Sequence, residues 1–267
     1  MPKPIIVLVH GTFCDSSCWD RVSLALQEKG YQVIALANPL RGMGYDDKHL
    51  ASLLEALGKE KDSEGNVSDI VLVGHSYGGA VITNGVLAGN TNVKAMVYVS
   101  ATAPMPGELL IPPEHEIGLR ARALPATAQE ADDAGIDPKN DLLRRGTCGQ
   151  DGKGVCDLYI RQDKFGEVLI GPAAGESETM AMAANQRPLS APVIDQKSEI
   201  QGWKDKKPWF IIPKNDQVLP AATQRKSAER ATEKGRIHEV EATHMIILSH
   251  SETVARIIIE AASSIAK

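Results

Sequence analysis

The chain has 267 residues, of which 43% are hydrophobic and 24% charged, enough apolar material for one large domain or a core with an insertion. Its net charge of -5 and lack of any lysine- or arginine-rich run argue against nucleic acid or an anionic membrane as a partner. No apolar stretch is long enough to cross a bilayer and Met1–Pro4 leads directly into a strand pattern, so we expect a soluble, cytoplasmic protein without a signal peptide.

Strand and helix patterns alternate along the first part of the chain. The apolar run Ile5–Val9 predicts a strand, and the leucines of Asp46–Gly58 fall on one helical face. The series continues with helices predicted over Ser17–Lys29 and Tyr77–Leu87 and strands over Gln32–Ala37, Asp69–Val73 and Val93–Ser100. Such alternation is typical of βαβ units, so it predicts an α/β fold with a doubly wound, mainly parallel sheet and helices on both faces.

The alternation is interrupted between residues 104 and 204. This segment is rich in Pro, Gly, Ala and charge, shows no clear strand, and has helical patterns over Glu114–Leu124 and Glu176–Asn185. We interpret 104–204 as an inserted, mostly helical cap and 1–103 plus 205–267 as the core. The alternation then resumes with strands over Pro208–Ile212 and Arg236–Val240 and helices over Ala221–Thr232 and Glu252–Ala262.

The turn Gly74-His75-Ser76-Tyr77-Gly78 joins the third predicted strand to a helix. A Ser at the tip of so tight a turn needs small neighbours, because its backbone is strained and a flanking Cβ would clash. The free N–H groups of the following helix point back toward the Ser and favour negative charge there. Between a strand and a helix, this G-x-S-x-G spacing predicts that Ser76 is a nucleophile, the alternative being a purely structural turn.

A serine nucleophile needs a base to accept its proton and an acid to hold that base. Asp216 and His244 each follow a late predicted strand, and loops after parallel strands gather at one edge of a sheet. We therefore predict Ser76, His244 and Asp216 as nucleophile, base and acid. A mere turn role for Asp216 is the alternative, with Glu241 and Asp195 as weaker substitutes for the acid.

Two backbone N–H groups are predicted to form an oxyanion hole, those of Tyr77 and Thr12. Gly11 permits the close backbone approach that the second donor needs. His10 and His75 flank these loops, and we interpret them as packing or hydrogen-bonding residues. The other histidines outside the predicted triad are expected to be solvated: His49, His115, His238 and His250.

The four cysteines form two local pairs. Cys148 and Cys156 bracket a Gly-rich loop and are either free or joined in a disulfide, which would indicate an oxidising compartment and, with a trimmed leader, a secreted or periplasmic protein. We interpret Cys14 and Cys18 as two semi-buried thiols. Neither pair has the spacing of a zinc site.

The chain resembles the α/β-hydrolase superfamily over nearly its full length, and its small esterase and hydroxynitrile-lyase-like branch most of all. The resemblance rests on the order Ser, Asp, His and on four stretches: His10-Gly11 with Trp19 after it, Gly74–Gly79, Asn215–Pro220 and Thr243-His244-Met245. Members of this branch often lack an early antiparallel hairpin, so the resemblance implies a sheet of about six strands.

The resemblance implies a serine hydrolase that acts on a small ester or lactone without metal or organic cofactor. Hydroxynitrile lyases of this branch look as if they need Thr and Lys where this chain has Gly11 and Met245, and related dehalogenases and epoxide hydrolases use Asp in place of Ser76. Two alternatives stay open: a C–C lyase or cofactor-free oxidation enzyme using the same triad, and a non-catalytic receptor for a small ligand. The sequence also leaves a homodimer open.

The substrate pocket is expected to be aliphatic or mixed, because only 4% of the residues are aromatic. The cap supplies the apolar side chains that we predict to line it: Met105, Leu109, Leu110, Met180 and Met182. Trp203 and Trp209 are interpreted as packing residues.

Overall fold

A computed structural model of the protein describes residues 3–61, 64–86, 90–116, 143–145 and 157–265. Its strands are β1 (Ile5–Val9), β2 (Val33–Leu36), β3 (Ile70–His75), β4 (Val93–Val99), β5 (Leu143–Arg145), β6 (Asp157–Ile160), β7 (Leu189–Ser190), β8 (Trp209–Pro213) and β9 (Ile237–Val240). Its α-helices are α1 (Asp20–Glu28), α2 (Asp46–Leu57), α3 (Tyr77–Gly85), α4 (Gln162–Phe165), α5 (Glu176–Asn185), α6 (Ala221–Ala231), α7 (Ile246–Ser249) and α8 (Ser251–Ser264).

The main sheet has six strands in the order β2-β1-β3-β4-β8-β9, and every neighbouring pair is parallel. Residues along β1, β3 and β8 are buried without alternation, because helices cover both faces of the sheet. The first strand pairs on both sides, Val9 with Leu36 and with Gly74. The predicted doubly wound parallel sheet of about six strands is confirmed.

Helices α1 and α8 pack against each other, and α2 packs against α3. The apolar side of α8 contacts β3, β4 and β8, since residues such as Val254, Ile257 and Ile258 recur at helical spacing and are fully buried. The predicted start of the first helix is partly wrong: Ser16–Trp19 forms a 3₁₀ turn, and the α-helix begins at Asp20.

The segment between β4 and β8 contains more than helices. A second sheet of three short antiparallel strands has the order β5-β6-β7, where the sequence analysis found no strand. These strands are two to four residues long, too short to show an alternating pattern. The predicted helix Glu176–Asn185 is confirmed. Residues 117–124 of the other predicted helix, and the Cys148–Cys156 loop, lie outside the described residues.

The two ends of this segment are held together at the main sheet. The indole of Trp203 is buried and donates to the carbonyl of Pro104 at 3.2 Å. β4 and β8, which the segment connects, are neighbours, with Val97 beside Trp209. The boundaries 104 and 204 remain a prediction. None of the helices in the described ranges has the length and hydropathy of a membrane span.

Candidate active site

Ser76 is the single residue between β3 and α3, and it has a φ of 53° and a ψ of -124°. This is a conformation that residues with a Cβ rarely adopt, and such strain persists where the surroundings enforce it. A Cβ on Gly74 would lie 2.5 Å from the carbonyl oxygen of Gly78, and one on Gly78 would lie 2.3 Å from that of Val9. Only glycine fits at either flank, as the Gly-x-Ser-x-Gly spacing predicts.

Asp216 and His244 meet because the loops after β8 and β9 continue to pair beyond the strands. The N–H of Asn215 donates to the carbonyl of Ala242 at 3.0 Å. This pairing carries the Asp216 carboxylate to the imidazole of His244, whose Nδ1 donates to Oδ2 at 2.8 Å. Both side chains are buried. With Nδ1 engaged by Asp216, Nε2 of His244 is the ring nitrogen that can accept a proton from a nucleophile.

The Asp216 carboxylate is saturated with donors. Oδ1 accepts the N–H groups of Val218 at 2.9 Å and Leu219 at 2.8 Å, and Oδ2 also accepts Nε2 of Gln224 at 2.8 Å. Burial alone would raise the pKa of this carboxyl, but the His244 imidazole and these donors outweigh burial and hold the pKa below its usual range. Asp216 therefore stays ionised beside His244. No pattern in the sequence points to Gln224 as a site residue.

The backbone of His244 is fixed by two further polar groups. Its carbonyl accepts Nε2 of His75 at 3.0 Å and the hydroxyl of Ser100 at 2.8 Å. Burial is the main cause that lowers the pKa of His75, to about 3, so His75 is a neutral donor rather than a base. The interpretation of His75 as a hydrogen-bonding residue agrees with this. Ser100 is not among the predicted site residues, although a polar residue directly after a buried strand at this edge is a usable signal.

The oxyanion hole formed by Thr12 and Tyr77 stays a prediction, but Gly11, which precedes Thr12, lies directly beside the serine. A Cβ on Gly11 would lie 2.7 Å from the Cβ of Ser76, so the backbone that leads into Thr12 runs directly past the serine. Thr12 and Tyr77 are both buried. Burial also lowers the pKa of His10 to about 4, and its Nδ1 contacts the Gly11 carbonyl oxygen at 2.9 Å. Near neutral pH, His10 adds no charge to the site.

A small cavity of about 10 Å³ opens at Ser76 and is lined in part by Leu110, Ile111, His115 and Leu219. The expectation that His115 is solvated is wrong. Its side chain is buried, and its ring lies edge-on to that of His244, with 6.2 Å between the ring centroids. It is buried because the loop after β4 folds back over the strand ends, which local sequence does not reveal.

Among the predicted pocket residues, Leu110 lines this cavity. Met105 and Met180 are 39% and 65% exposed, so their placement in a closed pocket is wrong. Leu109 faces a different cavity, beside Lys226 and Arg230.

The substitutes considered for the acid lie elsewhere. Glu241 is exposed and pairs with Lys214 at 2.7 Å, and Asp195 is exposed. Cys14 and Cys18 are buried free thiols, and burial raises the pKa of Cys18, so it stays protonated. In the described ranges, no three His, Cys, Asp or Glu side chains are grouped as ligands for a metal ion.

The fold and the residues at this edge of the sheet define a class of protein. Its members have a parallel α/β sheet with a serine on a strained strand-to-helix turn, followed in chain order by an acid and a histidine. Comparison with known proteins agrees. The sequence profile of the alpha/beta hydrolase family matches residues 6–257. The chain belongs to the alpha/beta hydrolase family.

Individual relatives are more distant. The chain is 29% identical over 115 residues to a carbendazim hydrolyzing esterase of Nocardioides sp., a match of 39% of this chain and 45% of that one. The chain therefore spans less than half the length of that relative. It is 24% identical over 267 residues to a pyrethroid hydrolase of Sphingobium wenxiniae, covering 97% of this chain and 88% of the relative. The crystal structure of polyneuridine aldehyde esterase superposes with a TM-score of 0.72 at 18% identity, covering 97% and 99% of the two chains.

Proposed function

We propose that the protein is a serine hydrolase that cleaves a small, uncharged carboxylic ester or lactone. The observation that carries this proposal is the buried His244–Asp216 hydrogen bond of 2.8 Å, at the same sheet edge as a serine held at φ 53°. Matched relatives that are named as an esterase and a pyrethroid hydrolase support the choice of an ester bond.

The reaction proceeds in two halves. Oγ of Ser76 attacks the ester carbonyl carbon while Nε2 of His244 takes the hydroxyl proton, and Asp216 stabilises the imidazolium. The N–H groups of Thr12 and Tyr77 donate to the oxyanion. The tetrahedral intermediate collapses, the C–O bond to the alcohol breaks, and His244 returns its proton to the leaving oxygen. Water, deprotonated by His244, then attacks the acyl-serine and releases the acid.

The space at Gly11 argues against cyanohydrin cleavage. The resemblance associates that reaction with a Thr at this position and a Lys in place of Met245. A Cβ at residue 11 would lie 2.7 Å from the Cβ of Ser76, so the site has no room for a Thr there without movement of the serine. Met245 is fully buried and offers no charge to a departing cyanide.

The proposal is tested with a fluorophosphonate probe and p-nitrophenyl acetate. Wild type is expected to be labelled at Ser76 and to show an acetyl-enzyme by intact mass under rapid quench. Ser76→Ala should lose both signals and about a thousandfold or more of kcat. Ser263→Ala, an exposed serine on α8, is the matched control and should behave as wild type. Hydrolysis by Ser76→Ala at the wild-type rate would refute the mechanism.

The same variants separate the rivals. Cleavage of a ketone or cyanohydrin without an acyl-enzyme would indicate a lyase or a cofactor-free oxidation enzyme that uses His244 only as a base. Tight binding of a small ligand with negligible turnover would indicate a receptor. A panel of acetyl, longer acyl and aryl esters and lactones then defines the substrate, and equal rates across it would contradict a shaped pocket.

A further inference from the structure

A buried carboxylate lies behind the residue that follows the nucleophile. Asp46, the first residue of α2, has no exposed surface, and its Oδ2 accepts the hydroxyl of Tyr77 at 2.8 Å. Burial and the nearby carboxylate raise the pKa of Tyr77 well above its usual range. The hydroxyl therefore stays protonated and is the donor in its hydrogen bond to Asp46. Tyr77 is thus held at both ends, by the turn at Ser76 and by Asp46.

The same carboxylate also anchors the loop before α2. Oδ1 of Asp46 accepts the N–H of Arg41 at 2.9 Å, and Oδ2 accepts that of Gly42 at 3.0 Å. Gly42 has a φ of 97°, and a Cβ there would lie 2.4 Å from Oε1 of Gln196. The positive φ favours glycine at this position, and Asp46 anchors the loop through the N–H groups of Arg41 and Gly42.

This loop joins the region of the three-stranded sheet. The guanidinium of Arg41 pairs with Asp157 at 2.6 Å and donates to the Pro188 carbonyl at 2.7 Å. The N–H of Ser190 donates to the carbonyl of Leu40 at 2.9 Å. An unbroken series of hydrogen bonds thus runs from β6 and β7 through the loop to the carboxylate of Asp46.

We propose that Asp46 is a positioning residue for the hydrolysis. Its hydrogen bond to Tyr77 ties that residue, whose N–H is assigned to the oxyanion hole, to the loop that contacts β6 and β7. The inference rests on the proposed function. Oxyanion donors act because they are aimed in advance at the developing charge, and a small displacement weakens them more in the transition state than in the ground state. Freeing the side chain of Tyr77 therefore affects kcat more than KM.

Three variants test this. Tyr77→Phe removes one hydroxyl and keeps the ring and the N–H, and Asp46→Asn keeps the size of the side chain but turns one acceptor oxygen into a donor. Asp47→Asn is the matched control, because Asp47 also accepts a loop N–H, that of Gly44, at the start of α2 but makes no hydrogen bond to Tyr77. Each is assayed for kcat, KM, thermal unfolding and inhibition by a boronic acid that forms a tetrahedral adduct on serine.

We expect Tyr77→Phe and Asp46→Asn each to lower kcat about tenfold, with KM within twofold of wild type and boronate affinity falling in parallel. The double variant should lose no more than the worse single variant, because both break one interaction. Asp47→Asn should keep the wild-type kcat. A merely structural role would lower the unfolding temperature and leave the kcat and boronate affinity of the folded enzyme unchanged.

The outcomes separate this inference from the proposed function. If wild type is not labelled by the fluorophosphonate at Ser76, the proposed function fails. If wild type is labelled and Tyr77→Phe retains kcat within twofold, the positioning role of Asp46 is overturned. Tyr77→Phe decides the question even if Asp46→Asn fails to fold.

Discussion

The strand ends of the main sheet and the loop after β4 both contribute to the cavity at Ser76, in different ways. Asp216 and His244 are held by backbone pairing that continues from β8 and β9, and every polar contact of Asp216 is made within the core. Leu110, Ile111 and His115 come from a connection that carries the chain out of the sheet. The first region fixes the reacting groups through strand register, while the second shapes what they face. We therefore expect substitutions at the strand ends to change the rate of the reaction and substitutions in the loop after β4 to change substrate selectivity.

The substitution expected to lower kcat the most lies in the core, at Asp216. Asp216→Asn keeps the size of the side chain but removes the negative charge and favours the wrong imidazole tautomer, so kcat should fall about a thousandfold or more. Glu241→Gln is the control, since Glu241 pairs with Lys214 at the surface. Steady-state kinetics on p-nitrophenyl acetate compare the two. A larger loss from Glu241→Gln than from Asp216→Asn would mean that Glu241 is the acid.

A smaller effect, also in the core, is loss of stability in acid. The pKa values of His10 and His75 are lowered by burial from 6.5 to about 4 and about 3. Because the folded-state pKa is depressed, the stability is fully present above pH 6.5 and is lost as the pH falls toward the folded values. Each histidine should lower the free energy of unfolding by about 2 kcal/mol at pH 5 relative to pH 8.

Urea unfolding at the two pH values measures this loss. His75→Gln should remove about 2 kcal/mol of the difference between them. The control His49→Gln changes an exposed histidine and should leave the difference as in wild type. An equal pH dependence in His75→Gln and wild type would mean that His75 is protonated in the folded protein.

The smallest effect is expected in the loop after β4. His115→Ala enlarges the cavity, so the ratio of kcat/KM between longer acyl esters and the acetyl ester should rise about tenfold. Met105→Ala changes an exposed residue of the same connection and should leave that ratio unaltered. An equal fall in kcat for every ester would instead show that His115 acts through His244, whose ring it faces edge-on.

The same two regions differ in how far the sequence predicts them. Ile5–Val9 and Ile70–Val73 are apolar, mostly β-branched runs whose burial on both faces is visible in the sequence. Polar residues that follow such strands must meet at one edge of the sheet. Ser76, Asp216 and His244 could be proposed on that basis alone. The fold and the placement of these residues thus follow from local pattern and topology.

The features that the sequence did not predict depend on contacts between distant segments. His115 lies in a Pro- and Glu-rich stretch typical of an exposed loop, and it is buried only because that stretch packs over the strand ends. Asp46 looks like an ordinary acidic residue in the first turn of a helix, a position favoured by the helix dipole. Its hydrogen bond to Tyr77 spans 31 positions of the sequence. No local pattern encodes such a pair.

One consequence of the sheet order concerns how such a protein can change over evolution. The chain leaves the sheet at β4 and returns at β8, and these strands are neighbours, with Val99 beside Ile211. A segment that departs and returns at adjacent strands can be exchanged or rebuilt without shifting the register of any other pair. The architecture thus permits new substrate specificities to arise by replacement of one continuous stretch of gene, under the restriction that the replacement still engages Leu40 and Arg41.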